Sequence, residues 1–143
     1  MLAARELSEA QLRQRLSRRG HGADDIDAVV DRLKADRTLD DSRVAGVIAR
    51  SEVGLRKRGK LRVRRRIEAA GIASALAQRA VDEAFRDVDA DALMSAALDK
   101  RLRGRDSIED DREFQRLYRF MIGQGFEPDR VLALLRRYRR AEH

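Results

Sequence analysis

Apolar residues in this chain recur at helical spacing, with polar breaks between the runs, and no stretch alternates residue by residue. Leu12 and Leu16 stand one turn apart behind Ser8, whose spacing to Gln11 is that of a capping box, and Gly20 or Gly22 ends this first helix. Ile26, Val29, Val30 and Leu33 fall at i, i+3, i+4 and i+7, so Asp24 or Asp25 opens a second. Asp40 or Asp41 caps a third helix carrying Val44, Val47, Ile48 and Leu55. Gly59 separates it from a fourth, running from residue 61 to residue 70 with Val63 and Ile67 as its stripe, and Gly71 ends that one. A fifth runs from about residue 74 to residue 85. A sixth starts at Asp89 or Asp91, carries Leu93, Met94, Ala97, Leu98 and Leu102, and closes at Gly104. After a polar loop over residues 105–110, a seventh helix runs from about residue 111 to residue 123, and Pro128 occupies the first turn of an eighth. Helix formers dominate and β-branched residues never alternate, so the chain reads as all-α.

The helices repeat. Aligned on Gly20, Gly71 and Gly125, the residues eight before are Leu12, Val63 and Leu117, and those four before are Leu16, Ile67 and Met121. Six after stand Ile26, Ala77 and Val131; nine after, Val29, Ala80 and Leu134; ten after, Val30, Val81 and Leu135; thirteen after, Leu33, Ala84 and Tyr138. All eighteen are apolar, counting Tyr, at spacings of 51 and 54 residues. The unit is a helix, a Gly-centred turn and a second helix, with a third helix following in the first two units. The units are drawn at residues 1–55, 56–106 and 107–143. Such units do not bury their apolar faces alone, so an elongated or curved array is expected.

Composition narrows the function. With 143 residues there is room for one domain or a short array. There is no Cys, which excludes disulfides, thiolate metal sites and a Cys nucleophile, and of two His one is the last residue, His143. No nucleotide-binding glycine loop and no nucleophile elbow occur. Asp24-Asp25, Asp40-Asp41 and Asp110-Asp111 each stand where a helix begins, so capping accounts for them. His21, after Gly20, reads as a packing or surface residue. No enzyme, no metal and no cofactor are expected. No apolar run is long enough to span a membrane and the first residues lack a signal peptide's apolar segment, so a cytoplasmic location is expected.

Charge adds a partner class. Lys and Arg number 32 against 25 Asp and Glu, for a net +7. Residues 1–55 are neutral, residues 56–106 carry +6 and residues 107–143 carry +1. Eight of the eleven residues 56–66 are basic: Arg56, Lys57, Arg58, Lys60, Arg62, Arg64, Arg65 and Arg66. With Val63 and Ile67 turned inward, Arg62, Arg65 and Arg66 share the opposite face. In sequence only Glu68 stands close enough to offset them. An Arg-rich turn and helix N-terminus hold phosphates by charge and by free backbone N–H groups, so this stretch is the candidate contact for a polyanion or an acidic partner. A second group, Arg136, Arg137, Arg139 and Arg140, sits at a helix C-terminus, where the dipole already favours cations. Aromatics do not interleave with the basic run, so base stacking has little support.

The string TLDDSRVAGVIARSEVGLRKRGKLRVRRRIEAAGI, residues 38–72, resembles the signature of the RecX regulatory proteins: an Asp-Asp helix start, a basic Gly-containing turn and a helix ending in Gly-Ile. SEAQLRQRLSRRG, residues 8–20, is similar to that family's first helix, and MIGQGFEPDRVLALL, residues 121–135, to its last Gly-Phe turn and helix. The departures are Val44 where Phe is common, His21 where an aromatic is common and Gln124 where a basic residue is common. The resemblance implies three tandem three-helix repeats in a curved molecule. It implies binding to the RecA recombinase, in the groove of the RecA–single-stranded DNA filament, and inhibition of RecA in DNA repair and the SOS response. A monomer is expected, with single-stranded or duplex DNA as the nucleic-acid partner. Two other readings stay open: a helix-turn-helix DNA-binding regulator without RecA contact, and a helical adaptor for an acidic protein.

Overall fold

A computed structural model describes residues 4–139. Among them are eight α-helices and no strand: α1 (Glu9–Arg18), α2 (Ala23–Ala35), α3 (Asp41–Gly54), α4 (Lys60–Ala69), α5 (Ser74–Ala84), α6 (Ala90–Leu102), α7 (Asp111–Gly123) and α8 (Pro128–Tyr138). A 3-10 turn, Ala4–Glu6, precedes them. The chain's accessible surface is 9680 Å², against about 7,500 Å² for a compact monomer of this mass. The helices therefore form an open, extended array.

Local chemistry sets the ends. Ser8 and Gln11 form the expected capping box, with Gln11 N–H donating to Ser8 Oγ at 3.1 Å and Ser8 N–H donating to Gln11 Oε1 at 3.0 Å. Asp40, Asp89 and Asp110 cap α3, α6 and α7 by accepting from the N–H of Arg43, Ala92 and Glu113. Asp24 and Asp25 do not cap α2; Gly22 is its N-cap and they lie in the first turn, where they favour the dipole. Asp41 accepts the Glu9 N–H at 2.8 Å instead of capping its own helix. Gly20, Gly71 and Gly125 take φ of +89°, +82° and +96°, the left-handed conformation that closes a helix into a tight turn.

None of the eighteen aligned apolar positions is exposed; Leu16, Val29, Leu33, Ala84 and Tyr138 are half-buried and the others buried. The cores have a different phase from the sequence units, however. Leu7, Leu12, Ile26, Val30 and Leu39 form one cluster. A second, from Val44 to Phe85, joins α3 to α4 and α5. A third, from Met94 to Leu135, joins α6 to α7 and α8. The third helix of each sequence unit thus packs with the pair that follows it, and the 3-10 turn stands ahead of the first pair as α3 and α6 stand ahead of theirs. Sequence spacing alone does not decide between these phases, because the repeat is the same in both.

Two further differences come from α3 and the loop after α6. The buried side of α3 is Val44, Ala45, Ala49, Glu52 and Val53, whereas Val47 is 54% exposed and Leu55 83% exposed. Two small residues, Ala45 and Ala49, are fully buried in the cluster that joins α3 to α4 and α5, and small side chains there leave room for helices to pack closely. Within the 105–110 loop Ile108 is buried, and its N–H donates to the Tyr138 carbonyl at 2.7 Å. An isolated parallel bridge between Ile108 and Arg139 ties this loop to the end of α8.

The units are joined by their turns. Ser8 Oγ, fully buried, donates to the Ala70 carbonyl, and a Cβ on Gly71 would stand 2.4 Å from Ala10 Cβ. From α3, the Arg43 guanidinium donates to the carbonyls of Arg5, Arg37 and Thr38. Between the second and third units, Gly59 N–H donates to the Gln124 carbonyl at 2.8 Å and Leu61 N–H to the Gly125 carbonyl at 3.1 Å. A Cβ on Gly59 would lie 2.5 Å from the Gly125 backbone, and one on Gly125 2.3 Å from Arg62 Cβ.

Candidate functional site

The eight cations of residues 56–66 do not form one face. They divide between a joint and a surface. The chain leaves α3 at Gly54, turns through Leu55 and a left-handed Lys57 (φ +56°), and enters α4 after Gly59. Arg58 folds back: its N–H donates to the Glu52 carbonyl at 3.1 Å and its Nη1 to Gln124 Oε1. Its Nε lies 4.0 Å from the Glu52 carboxylate and makes no hydrogen bond. Arg62 Nη1 donates to the Gly123 carbonyl at 2.8 Å. Both side chains hold the third unit against the start of α4.

This docking changes the expected chemistry. The N–H groups of Gly59 and Leu61, which the sequence reading left free for a phosphate, donate to carbonyls of the α7–α8 turn. That carbonyl pair takes up two of the N–H groups at the anion-binding end of α4 and weakens the case for phosphate recognition through its backbone. Arg62 is half-buried and does not share an open face with Arg65 and Arg66.

Of the remaining cations, Arg64 is half-buried and pairs with Glu68 at 2.9 Å, also donating to Gln78 Oε1 at 3.0 Å. Arg66 is exposed, with its Nε 3.8 Å from Glu52. Glu52, only 7% exposed, therefore offsets two arginines from α3, a neighbour that sequence distance conceals. Lys60 Nζ lies over the Phe85 ring, 5.6 Å from its centroid. Arg56, Lys57 and Arg65 are exposed and pair with no acid among the described residues.

Arg56 and Lys57 border a groove of about 1470 Å³ spanning the second and third units. Its floor is one face of α6, with Ala92, Leu93, Ala96 and Ala97. One wall is the α3–α4 turn with Val88; the other is α7, with Arg116, Leu117 and Phe120. Lys100, Arg101 and Arg103 bring further cations to the C-terminal end of the floor. The two acids lining the groove are already engaged. Asp89 caps α6, and Glu113 accepts from Arg105 at 3.0 and 2.7 Å. The hydrogen-bonded Arg105 holds the Glu113 carboxyl below its ordinary 4.5, against the opposing effect of burial. Glu113 also lies 4.0 Å from Arg116, so the lining cations that pair with no acid among the described residues are Arg56, Lys57, Lys100, Arg101 and Arg103. The Arg101 guanidinium stacks 3.8 Å from the Phe120 centroid.

Sequence reasoning missed the second half of this surface. Lys100, Arg101, Arg103 and Arg105 lie within six residues, yet they straddle a helix end and a loop, and nothing in their spacing says they meet Arg56 and Lys57. Of the C-terminal basic group, Arg136 and Arg137 are exposed at the end of α8. Arg139 pairs with Asp111 and lies 5.6 Å over Phe114. Arg140 and His143 lie outside the described residues. His21 is exposed, with its N–H donated to the Leu16 carbonyl.

Residues 1–33 match the family described as RecX, first three-helix domain. Over 134 residues the chain is 34% identical to the regulatory protein RecX of Halorhodospira halophila, spanning 93% of this chain and 80% of that protein. The chain belongs to the RecX family. It is also 33% identical over 132 residues to the regulatory protein RecX of Chromohalobacter salexigens, spanning 92% and 83% of the two chains. A crystal structure of a regulatory protein RecX superposes with a TM-score of 0.68 at 16% identity, over 91% of this chain and 63% of that one. That likeness carries the fold: helical three-helix units in tandem. In this RecX chain Gln124, one of the departures noted above, receives Arg58, and Val44 fills its place in the second core. No helix among the described residues is long and apolar enough to cross a membrane.

Proposed function

We propose that this RecX-family chain inhibits the RecA recombinase by binding the RecA–single-stranded DNA filament, in DNA repair and SOS regulation. It does so as a cytoplasmic monomer and a regulator, not an enzyme. Family membership supports RecA as the target. The observation that carries the contact is the set of cations bordering the groove, Arg56 and Lys57 on one side and Lys100, Arg101 and Arg103 at one end, which pair with no acid among the described residues. Arg65 adds a cation on the exposed side of α4. Arg58, Arg62 and Arg64 act beneath this surface, holding the turn that presents it.

The helix-turn-helix reading is disfavoured by the docking of α4. If the Arg-rich α4 served as the recognition helix it would have to offer its N-terminal residues to base edges, and here the α7–α8 turn covers them.

The test is RecA ATPase on single-stranded DNA, titrated with this protein, with excess bare single-stranded DNA as control. Inhibition near or below stoichiometric protein that excess DNA does not relieve is the expected result. No inhibition, or inhibition fully relieved by bare DNA, reduces the chain to a DNA-binding helical protein.

A further inference from the structure

We propose that the groove over α6 is a docking site for an acidic, amphipathic α-helix of a protein partner, and not a track for a nucleic-acid backbone. The inference rests on the filament-binding reading only for which molecule supplies that helix.

The floor decides the class of ligand. Met94, Leu98 and Leu102 turn one side of α6 into the third core, completely buried or nearly so. A second side, through Ala92, Leu93, Ala96 and Ala97, is also apolar and opens on the groove. Apolar side chains offer no donor to phosphate oxygens. Phe120 is the one aromatic lining the groove, and Arg101 already occupies a face of its ring at 3.8 Å, which weakens the case for base stacking. A second helix suits this floor. Ala92 and Ala96, one turn apart, let a partner helix approach closely, at the ~8–10 Å axial distances of packed helices. From Asp89 to Lys100 the floor is ~18 Å long, enough for about three turns of partner.

The rim decides the charge. Arg56 and Lys57 stand on one wall, Arg116 on the other with Glu113 4.0 Å from it, and Lys100, Arg101 and Arg103 close one end. Cations surround the apolar floor and do not run along it. The complementary object is a helix with a Leu-like stripe flanked by Glu or Asp on both sides. Leu55, 83% exposed at the rim, extends the apolar surface such a stripe would cover.

The experiment uses the full chain with labelled methyl groups and three probes. One is a synthetic acidic helix of about 14 residues with Leu at i, i+3, i+4 and i+7. The others are the same composition scrambled, and oligothymidine of about 15 nucleotides. Expected are methyl shifts at Leu55, Leu93 and Leu117 with the amphipathic peptide only. Ala96→Gln and Leu55→Ser should each weaken its binding about tenfold, the scale of losing one buried apolar contact. Both positions are exposed, and circular dichroism checks that helicity is retained. Equal binding of the scrambled peptide, or displacement of the amphipathic one by oligothymidine, overturns the proposal, as does no peptide binding. If the peptide fails while the chain still inhibits RecA, the groove proposal falls and the filament reading stands. If the peptide binds and RecA is not inhibited, the groove proposal stands and the filament reading falls.

Discussion

The backbone N–H of Gly59 donates to the Gln124 carbonyl at 2.8 Å, fastening the start of α4 to the turn that precedes α8. Its counterpart one unit earlier is the bond from Ser8 Oγ to the Ala70 carbonyl. Ser8 and Gly59 each stand twelve residues before the glycine of their own turn, and Ala70 and Gln124 each stand one residue before the glycine of the next. The repeat therefore extends beyond the cores to the joints. Each unit seats the start of its first α1- or α4-type helix on the next unit's turn, and the donor is a side chain in one joint and backbone in the other.

The joints give the turn glycines unequal duties. Gly20 and Gly125 both adopt positive φ, but a Cβ on Gly20 meets nothing within 4 Å, whereas one on Gly125 collides with Arg62. Gly20→Ala should cost about 1–2 kcal/mol, the penalty of the left-handed conformation. Gly125→Ala should cost about 1–3 kcal/mol more, because Arg62 and its backbone must move. Urea denaturation of both variants measures the difference. Equal losses would mean that the joint between α4 and the α7–α8 turn carries no stability.

Ser8 serves two partners at once, and two substitutions separate them. Ser8→Ala removes the cap, worth about 1 kcal/mol, and leaves the Ala70 carbonyl without this donor, worth about 1–3 kcal/mol more if it stays buried. Ser8→Asp keeps a good capping oxygen but cannot donate to Ala70, and it places a carboxylate against that carbonyl. Aspartate should therefore be at least as destabilising as alanine, the reverse of its usual rank as a cap. A Ser8→Asp chain as stable as the unsubstituted one would show that only the cap matters.

Much of this architecture was legible in the sequence, and the parts that were not share a cause. The eight helices follow from Gly, Asp, Ser and Pro at their ends, because capping and positive φ are local demands that a few residue types satisfy. The stripes at Val63 and Ile67, or Val131, Leu134 and Leu135, follow from periodicity. Which helix joins which core does not, since α3 contributes as much through Ala45 and Ala49 as through Val44. The candidate site was legible in half. The basic turn at Arg56 and Lys57 was visible as a charge run, but the fate of each cation depends on a neighbour far along the chain: Glu52 for Arg66, Gly123 for Arg62, Gln124 for Arg58. The groove itself needs α6 laid between two units, which no local signal specifies.

Part of the acid sensitivity should come from the two carboxylates held by cations, Glu9 and Glu113. Lys34 lies 3.0 Å from Glu9 and Arg13 3.2 Å, and Arg105 brackets Glu113; these cations hold both carboxyls below the ordinary 4.5. The unfolded chain then binds more protons than the folded one just below that value. Their stabilisation is fully present above about pH 4.5 and is lost as pH falls through the folded-state values. Urea midpoints between about pH 3 and about pH 7 should fall on the acid side for the unsubstituted chain. In the Glu9→Gln, Glu113→Gln double variant that fall should be shallower. An unchanged pH profile in the double variant would assign acid sensitivity to other groups.

Cations of the joint and cations of the surface should separate under mutation. Arg62→Gln removes the donor to the Gly123 carbonyl and should lower stability by about 1–2 kcal/mol. Arg56→Glu with Lys57→Glu touches no described partner and should stay within about 0.5 kcal/mol per site in urea denaturation. Under the filament-binding reading the effects on RecA ATPase run the other way. Reversing Arg56 and Lys57 should largely abolish inhibition, because each now repels the acidic or phosphate-bearing surface it faced. In the unsubstituted chain, inhibition should also weaken as salt rises, since exposed charges are screened over about 10 Å at 0.1 M. Arg62→Gln should inhibit nearly normally at temperatures where it remains folded. If instead Arg62→Gln loses inhibition while folded, and the Arg56, Lys57 reversal keeps it, the contact lies on the face of α4 and the groove is not where the filament is held.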